Sequence, residues 1–144
     1  MKTTARNQFV GTITRIQQGP VTAEVALRLR GGQDVTATLT SASAAAMGLR
    51  QGQEAMALVK ASAVVLVTDF AGYTLSARNQ LAGTVSRIER GAVTTVVGLD
   101  LPGGEALTAT VTNDAVTALG LQTGQVATAV FKAYAVLLAV KSSA

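Results

Sequence analysis

Along much of the chain, apolar and polar positions alternate. Val21, Ala23, Val25, Leu27 and Leu29 are interleaved with Thr22, Glu24, Ala26, Arg28 and Arg30, and Val35, Ala37 and Leu39 with Thr36, Thr38 and Thr40. A period of two sends successive side chains to opposite faces, so these stretches are predicted to be half-buried strands. The pair Gly31–Gly32 between them is a hairpin signal. Alternation stops at Ser41–Met47, an alanine-rich run with a capping residue in front and Gly48 behind, which predicts one short helix. After a "GQ" turn at Gly52, two further strands end in Val64–Val67.

The same text is then written again. A shift of 72 residues aligns Ala5–Thr68 with Ala77–Val140 without an insertion, and about half the positions are identical. The second copy repeats the GG turn at Gly103–Gly104, the helix at Asn113–Leu119 closed by Gly120, the turn at Gly124 and the final strand at Val136–Val140. Three strands, a short helix and two strands are the element order of an OB-type barrel. The expected fold is all-β: two tandem OB-like five-stranded barrels, each with one short helix between strands three and four. The expected units are residues 1–68 and 77–144, joined by a linker at 69–76 with Gly72 as its flexible point.

Composition narrows the chemistry. Apolar residues make up 49% and charged residues 14% of the 144, as expected of a packing chain. With so few charges to cover two small barrels, oligomerisation is expected. There is no signal core before the first repeat and no apolar run of membrane-spanning length, so a cytoplasmic protein without a membrane partner is expected. The chain has no His and no Cys, which removes the usual transition-metal ligands, the commonest general base and disulfides. No acid faces an acid in the other copy, which argues against paired-carboxylate catalysis and calcium cages. We therefore expect no enzyme, no catalytic residues, no cation site and no cofactor.

The recurring charges are positive. Arg6 matches Arg78, Arg15 matches Arg87 and Lys60 matches Lys132, within a net charge of +4. Donors without acceptors suit an anion, and a tetrahedral oxyanion such as molybdate or sulfate offers only acceptor oxygens. Each copy places donors at three points. The first is "TARN", Thr4, Ala5, Arg6 and Asn7, matched by "SARN", Ser76, Ala77, Arg78 and Asn79, just before the first strand. The second is the helix start, Thr40 and Ser43, or Thr112 and Ala115, where free N–H groups and the helix dipole favour anions. The third is the strand end at Lys60 or Lys132. Singly, each has a plainer role: solvated arginine, helix cap, edge-strand lysine. Their joint recurrence favours a binding role.

Together the "SARNQ" opening, the "LGL..G" segment and the "KA" strand end resemble the Mop or TOBE-type molybdate-binding barrel domain of molbindins and of molybdate-responsive transcription regulators. The resemblance covers nearly the whole chain, once per copy, and a tandem pair is similar to the two-domain molbindins of bacteria. It implies a molybdate-binding protein for storage and homeostasis, accepting tungstate too, and a homotrimer with no nucleic-acid partner. It also implies oxyanion sites at interfaces, with Ser76, Ala77, Arg78 and Asn79, or Thr4, Ala5, Arg6 and Asn7, on one side. Thr40, Ser43 and Lys60, or Thr112 and Lys132, supply the other. Thr4 replaces the usual serine and keeps the hydroxyl, whereas Ala115 stands where Ser43 carries one, so the two classes of site are expected to differ in affinity. A further axial oxyanion site is expected at the loops containing Gly19, Val21 and Thr22 and Gly91, Val93 and Thr94, which also read as ordinary hairpin turns.

Two other functions fit the fold. OB barrels commonly bind single-stranded nucleic acid, but aromatics are 3% of this chain, too few for a stacking platform. A ligand-sensing regulatory domain acting through a partner is the third possibility.

Overall fold

In a computed structural model that describes residues 1–142, ten strands form two five-stranded antiparallel sheets. In the first copy the elements are β1 (Asn7–Gln18), β2 (Thr22–Leu29), β3 (Asp34–Thr40), α1 (Ser41–Met47), β4 (Glu54–Val59) and β5 (Val65–Val67). In the second they are β6 (Asn79–Arg90), β7 (Thr94–Asp100), β8 (Ala106–Thr112), α2 (Asn113–Leu119), β9 (Val126–Phe131) and β10 (Val136–Ala139). A 3-10 turn precedes each final strand, at Ala61–Ala63 and Ala133–Ala135. Both sheets are of the expected OB type, with the helix between the third and fourth strands.

The first strand of each copy is long enough to serve two neighbours. β1 pairs with β4 over Asn7–Thr12 and with β2 over Gly11–Gln18, and a register shift between Ile13 and Arg15 bends it between these duties. β6 repeats this arrangement, with its shift between Val85 and Arg87. A bulge adds local twist, which lets a sheet coil on itself. The helices fall where the caps place them. Thr40 Oγ1 accepts the Ser43 N–H at 3.1 Å, Thr112 Oγ1 accepts that of Ala115 at 3.2 Å, and Gly48 and Gly120 close the helices at φ 63° and 59°. This left-handed conformation favours glycine.

The sheets do not follow the sequence repeat. Their strand orders are β10-β4-β1-β2-β3 and β5-β9-β6-β7-β8, so each copy donates its last strand to the other. Val136 lies opposite Val59, and Val65 lies opposite Val130. The donated strand and its 3-10 turn also close against the far edge: Ala133–Ala135 and β10 against β3, Ala61–Ala63 and β5 against β8. Period-two patterning specifies which face of β5 is buried, but either copy's β4 or β9 offers that face an equivalent neighbour. Residues 1–68 therefore contribute to both sheets.

A single apolar cluster runs through both halves, with Phe9, Ile13, Val25, Leu27 and Val35 beside Val85, Val97, Leu99, Leu107 and Phe131. The hairpin tips also meet. A Cβ built on Gly103, at φ 86°, would sit 2.1 Å from the Gly31 carbonyl oxygen, so only glycine fits this approach. Among the described residues, no helix is long and apolar enough to cross a membrane.

Candidate functional site

The register of β6 and β9 sets the position of the two recurring cations. Asn79 is the partner of Phe131 at the end of that ladder, so the next residues outward, Arg78 and Lys132, leave the sheet side by side. Asn7 and Val59 do the same for Arg6 and Lys60. Lys132 has extended backbone (φ −72°, ψ 146°) immediately before the 3-10 turn, as Lys60 does in its own copy (φ −65°, ψ 136°). Because that turn packs on the other copy's third strand, both cations are delivered to the junction between copies.

There they border an open cleft of about 430 Å³ lined by Ser76, Ala77, Arg78, Lys132, Ala133 and Tyr134 from the second copy and by Thr22, Glu24 and Thr38 from the first. The arginine and lysine expected on opposite sides of an interface thus lie together here, and the opposite wall is the β2–β3 ladder, in which Glu24 pairs with Thr38 and Thr22 with Thr40. The Arg78 guanidinium donates to the Glu24 carboxylate across the cleft. Among the described residues, Arg6, Lys60 and Lys132 have no carboxylate partner.

The two asparagines of the repeated tetrapeptide point the other way. Asn79 is 1% exposed; its Oδ1 accepts the Thr36 N–H and its Nδ2 donates to the Thr36 carbonyl, both at 2.8 Å. Asn7, 2% exposed, holds Thr108 identically. Their side-chain amides extend the edge strands β3 and β8 and are not free to meet a ligand.

Thr40, Ser43 and Thr112 lie outside the lining of the cleft. The Thr40 hydroxyl is 2.8 Å from Ser43 Oγ and caps α1, a helix of seven residues. Ala115 presents only a backbone N–H, taken by Thr112. The Gly19–Thr22 and Gly91–Thr94 turns are each bonded to their own copy's helix start. Ser41 Oγ donates to the Gly19 carbonyl at 2.7 Å and Asn113 Nδ2 to that of Gly91 at 2.9 Å. Val21 and Val93 are exposed at 72% and 74%, while Thr22 alone of these loop residues reaches the cleft.

Glu24, Thr38 and Tyr134 are cleft residues that sequence reasoning did not select. Glu24 was set aside because Val96 stands at its place in the other copy; Thr38 read as a strand residue, and Tyr134 was one of a few scattered aromatics. Only the contact between copies puts them here.

A second, apolar cleft of about 420 Å³ adjoins the first, bordered by Ala63, Val65, Leu75, Val130, Phe131 and Ala135. It shares Ser76, Ala77 and Lys132 with the polar one.

The chain is similar to known proteins. The TOBE domain model matches residues 3–66 and again 75–138. The molybdenum transport protein ModE of Herbaspirillum seropedicae is 60% identical over 141 residues, 98% of this chain and 52% of that protein. The molybdenum-pterin-binding protein MopA of Rhodobacter capsulatus is 44% identical over 139 residues, 96% of this chain and 52% of that protein. The chain thus spans about half the length of these relatives. Among solved structures, the cytoplasmic molybdate-binding protein ModG, with molybdate bound, superposes with a TM-score of 0.95 at 49% identity, covering 98% of this chain and all of that one. The chain belongs to the TOBE domain family, which it represents as two tandem copies.

Proposed function

We propose that this chain is a non-enzymatic binding protein for molybdate, and for tungstate by the same oxygen geometry, that stores and buffers the oxyanion in the cytoplasm. The observation that carries this reading is the convergence of Arg78 and Lys132 beside the Ser76–Ala77 backbone at the junction between copies. Two cations, a serine hydroxyl and backbone N–H groups match an ion that only accepts. Each charge-assisted hydrogen bond contributes about 1.5–3 kcal/mol net of the exchange with water, so binding strengthens with the number of donors that reach the ion together. Similarity to ModG, described as cytoplasmic and molybdate-binding, supports the ligand and the location.

Ser76, Ala77, Arg78 and Lys132 form one such site, and Thr4, Ala5, Arg6 and Lys60 its counterpart. Thr40, Ser43 and Thr112, on the helix starts, complete sites in this reading only when a neighbouring chain supplies them. A homotrimer fits the exposed Val21, Val65, Val93, Val126 and Leu137, which a lone chain leaves in water. The Gly19–Thr22 and Gly91–Thr94 turns, tipped by two of these valines, would then meet their symmetry mates as the axial site. The test is elemental analysis of the purified protein together with its oligomeric mass. Molybdenum on a trimer supports the reading, and a metal-free monomer that takes up no molybdate in dialysis refutes it.

A second reading has its own observation. The relative at 60% identity is a ModE protein, and the ModE of Escherichia coli K12, 40% identical over 140 residues, is a DNA-binding transcriptional dual regulator. The same barrels would then serve as a molybdate sensor acting through a partner or through DNA. Retention of a protein or DNA partner only in the presence of molybdate would favour sensing over storage.

A further inference from the structure

The two clefts that the repeat generates are not chemically equal. One lies between Arg78, Lys132 and Glu24; at the matching junction the same register brings Arg6 and Lys60 out side by side, and the repeat puts Val96 at the place of Glu24. Glu24 and Val96 sit in the same half-buried setting on β2 and β7, opposite Thr38 and Thr110 respectively. At equivalent positions of the repeat the chain therefore has a carboxylate, which meets Arg78, in one copy and an alkyl group in the other.

We propose that Glu24 is a resident counter-ion of the Arg78–Lys132 cleft, which an incoming oxyanion must displace, so that the two clefts of one chain fill at different ligand concentrations. This rests on the oxyanion reading of the cleft. Arg78 is half exposed and Glu24 more than two-thirds buried, so the pair is partly sheltered from water and the arginine is held in the cleft. A bound oxyanion has to take over the guanidinium protons that Glu24 accepts, and it then lies near a carboxylate of like charge. In the other cleft Val96 neither competes nor repels. The Arg6–Lys60 cleft fills first and the Arg78–Lys132 cleft later, which widens the concentration range over which the protein buffers its ligand.

The test is titration of the full chain with sodium molybdate by isothermal calorimetry at fixed ionic strength, on the wild type, Glu24→Val, Glu24→Gln and Val96→Glu. The wild type should show two affinity classes, with Arg78→Ala removing the weaker and Arg6→Ala the stronger. Loss of an ion pair and of a facing like charge should strengthen the weaker class about fivefold or more in Glu24→Val. Glu24→Gln should follow in part, because its amide oxygen still accepts from Arg78. Val96→Glu should weaken the stronger class by a similar factor. If the wild type binds molybdate and Glu24→Val binds no more tightly, the counter-ion role is overturned while the oxyanion reading stands. If the wild type binds no molybdate, both fall.

Discussion

Asn79 holds Thr36 by both of its backbone groups, donating to the carbonyl and accepting the N–H at 2.8 Å each, although the two residues belong to different copies. Asn7 and Thr108 repeat the bond in the opposite direction. A side-chain amide here substitutes for a neighbouring strand, so the edges of β3 and β8 are satisfied at the points where the copies meet.

Replacing Asn79 by Leu should therefore destabilise the fold without touching the cleft directly. Two part-buried backbone groups would lose their partners, at about 1–3 kcal/mol each at most. Urea unfolding followed by circular dichroism should show a lower midpoint and an unfolding free energy reduced by that amount, and Asn7→Leu should match it. An unchanged midpoint would mean that water reaches Thr36.

Arg78→Ala and Lys132→Ala should each weaken molybdate binding at their cleft roughly ten- to hundredfold, as the loss of one charge-assisted bond implies. Arg6→Ala and Lys60→Ala should act on the other cleft. Equilibrium dialysis of the four variants resolves this, and full uptake by Arg78→Ala would remove that residue from the site.

Bound ligand should also stabilise the fold. At a free concentration about a hundredfold above Kd, occupancy of one site adds about 2.7 kcal/mol. Thermal melts with and without molybdate should differ accordingly, the shift should vanish when the ligand is dialysed away, and it should shrink in Lys132→Ala.

Gly103→Ala should be among the most damaging small substitutions. The residue sits at φ 86° with the Gly31 carbonyl against the place a Cβ would occupy. Backbone strain alone costs about 1–3 kcal/mol, and the steric conflict adds to it. Gly104→Ala, with open space around the same kind of φ, should cost only the strain. Hydrogen exchange at the β7–β8 tip would separate the two.

A chain cut to residues 1–68 should not persist as a monomer. Its β5 is paired in this structure with β9, and Leu66, 8% exposed, is buried in the process. Two such fragments offer each other the missing partner, so light scattering should show a concentration-dependent dimer. A stable monomer would show that β5 can fold back on its own β4.

The elements were legible because their signals are local. Alternation at Val21–Leu29 and Val35–Leu39, caps at Thr40 and Thr112 and glycines at Gly48 and Gly120 act within a few residues, and the helices begin and end where those signals put them. The cations Arg78 and Lys132 were legible because the repeat marked them. The exchange of β5 and β10 was not, since two half-identical copies offer each strand two suitable neighbours. Asn79 was read as a donor for a ligand because nothing in "SARN" shows that its amide is buried against Thr36. Glu24 was passed over because comparing the copies selects what they share, and this residue acts through what they do not.

The exchange also governs when the molecule becomes whole. As the chain leaves the ribosome, β1 to β4 can pair early, but the edge of β4 at Val59 waits for Val136, in the last strand of the second copy. Neither sheet reaches five strands until the second copy has emerged, and contacts of such long sequence separation form slowly. During that interval an open apolar edge is exposed to nascent neighbours, whose β5 offers the same fit as the strand it awaits.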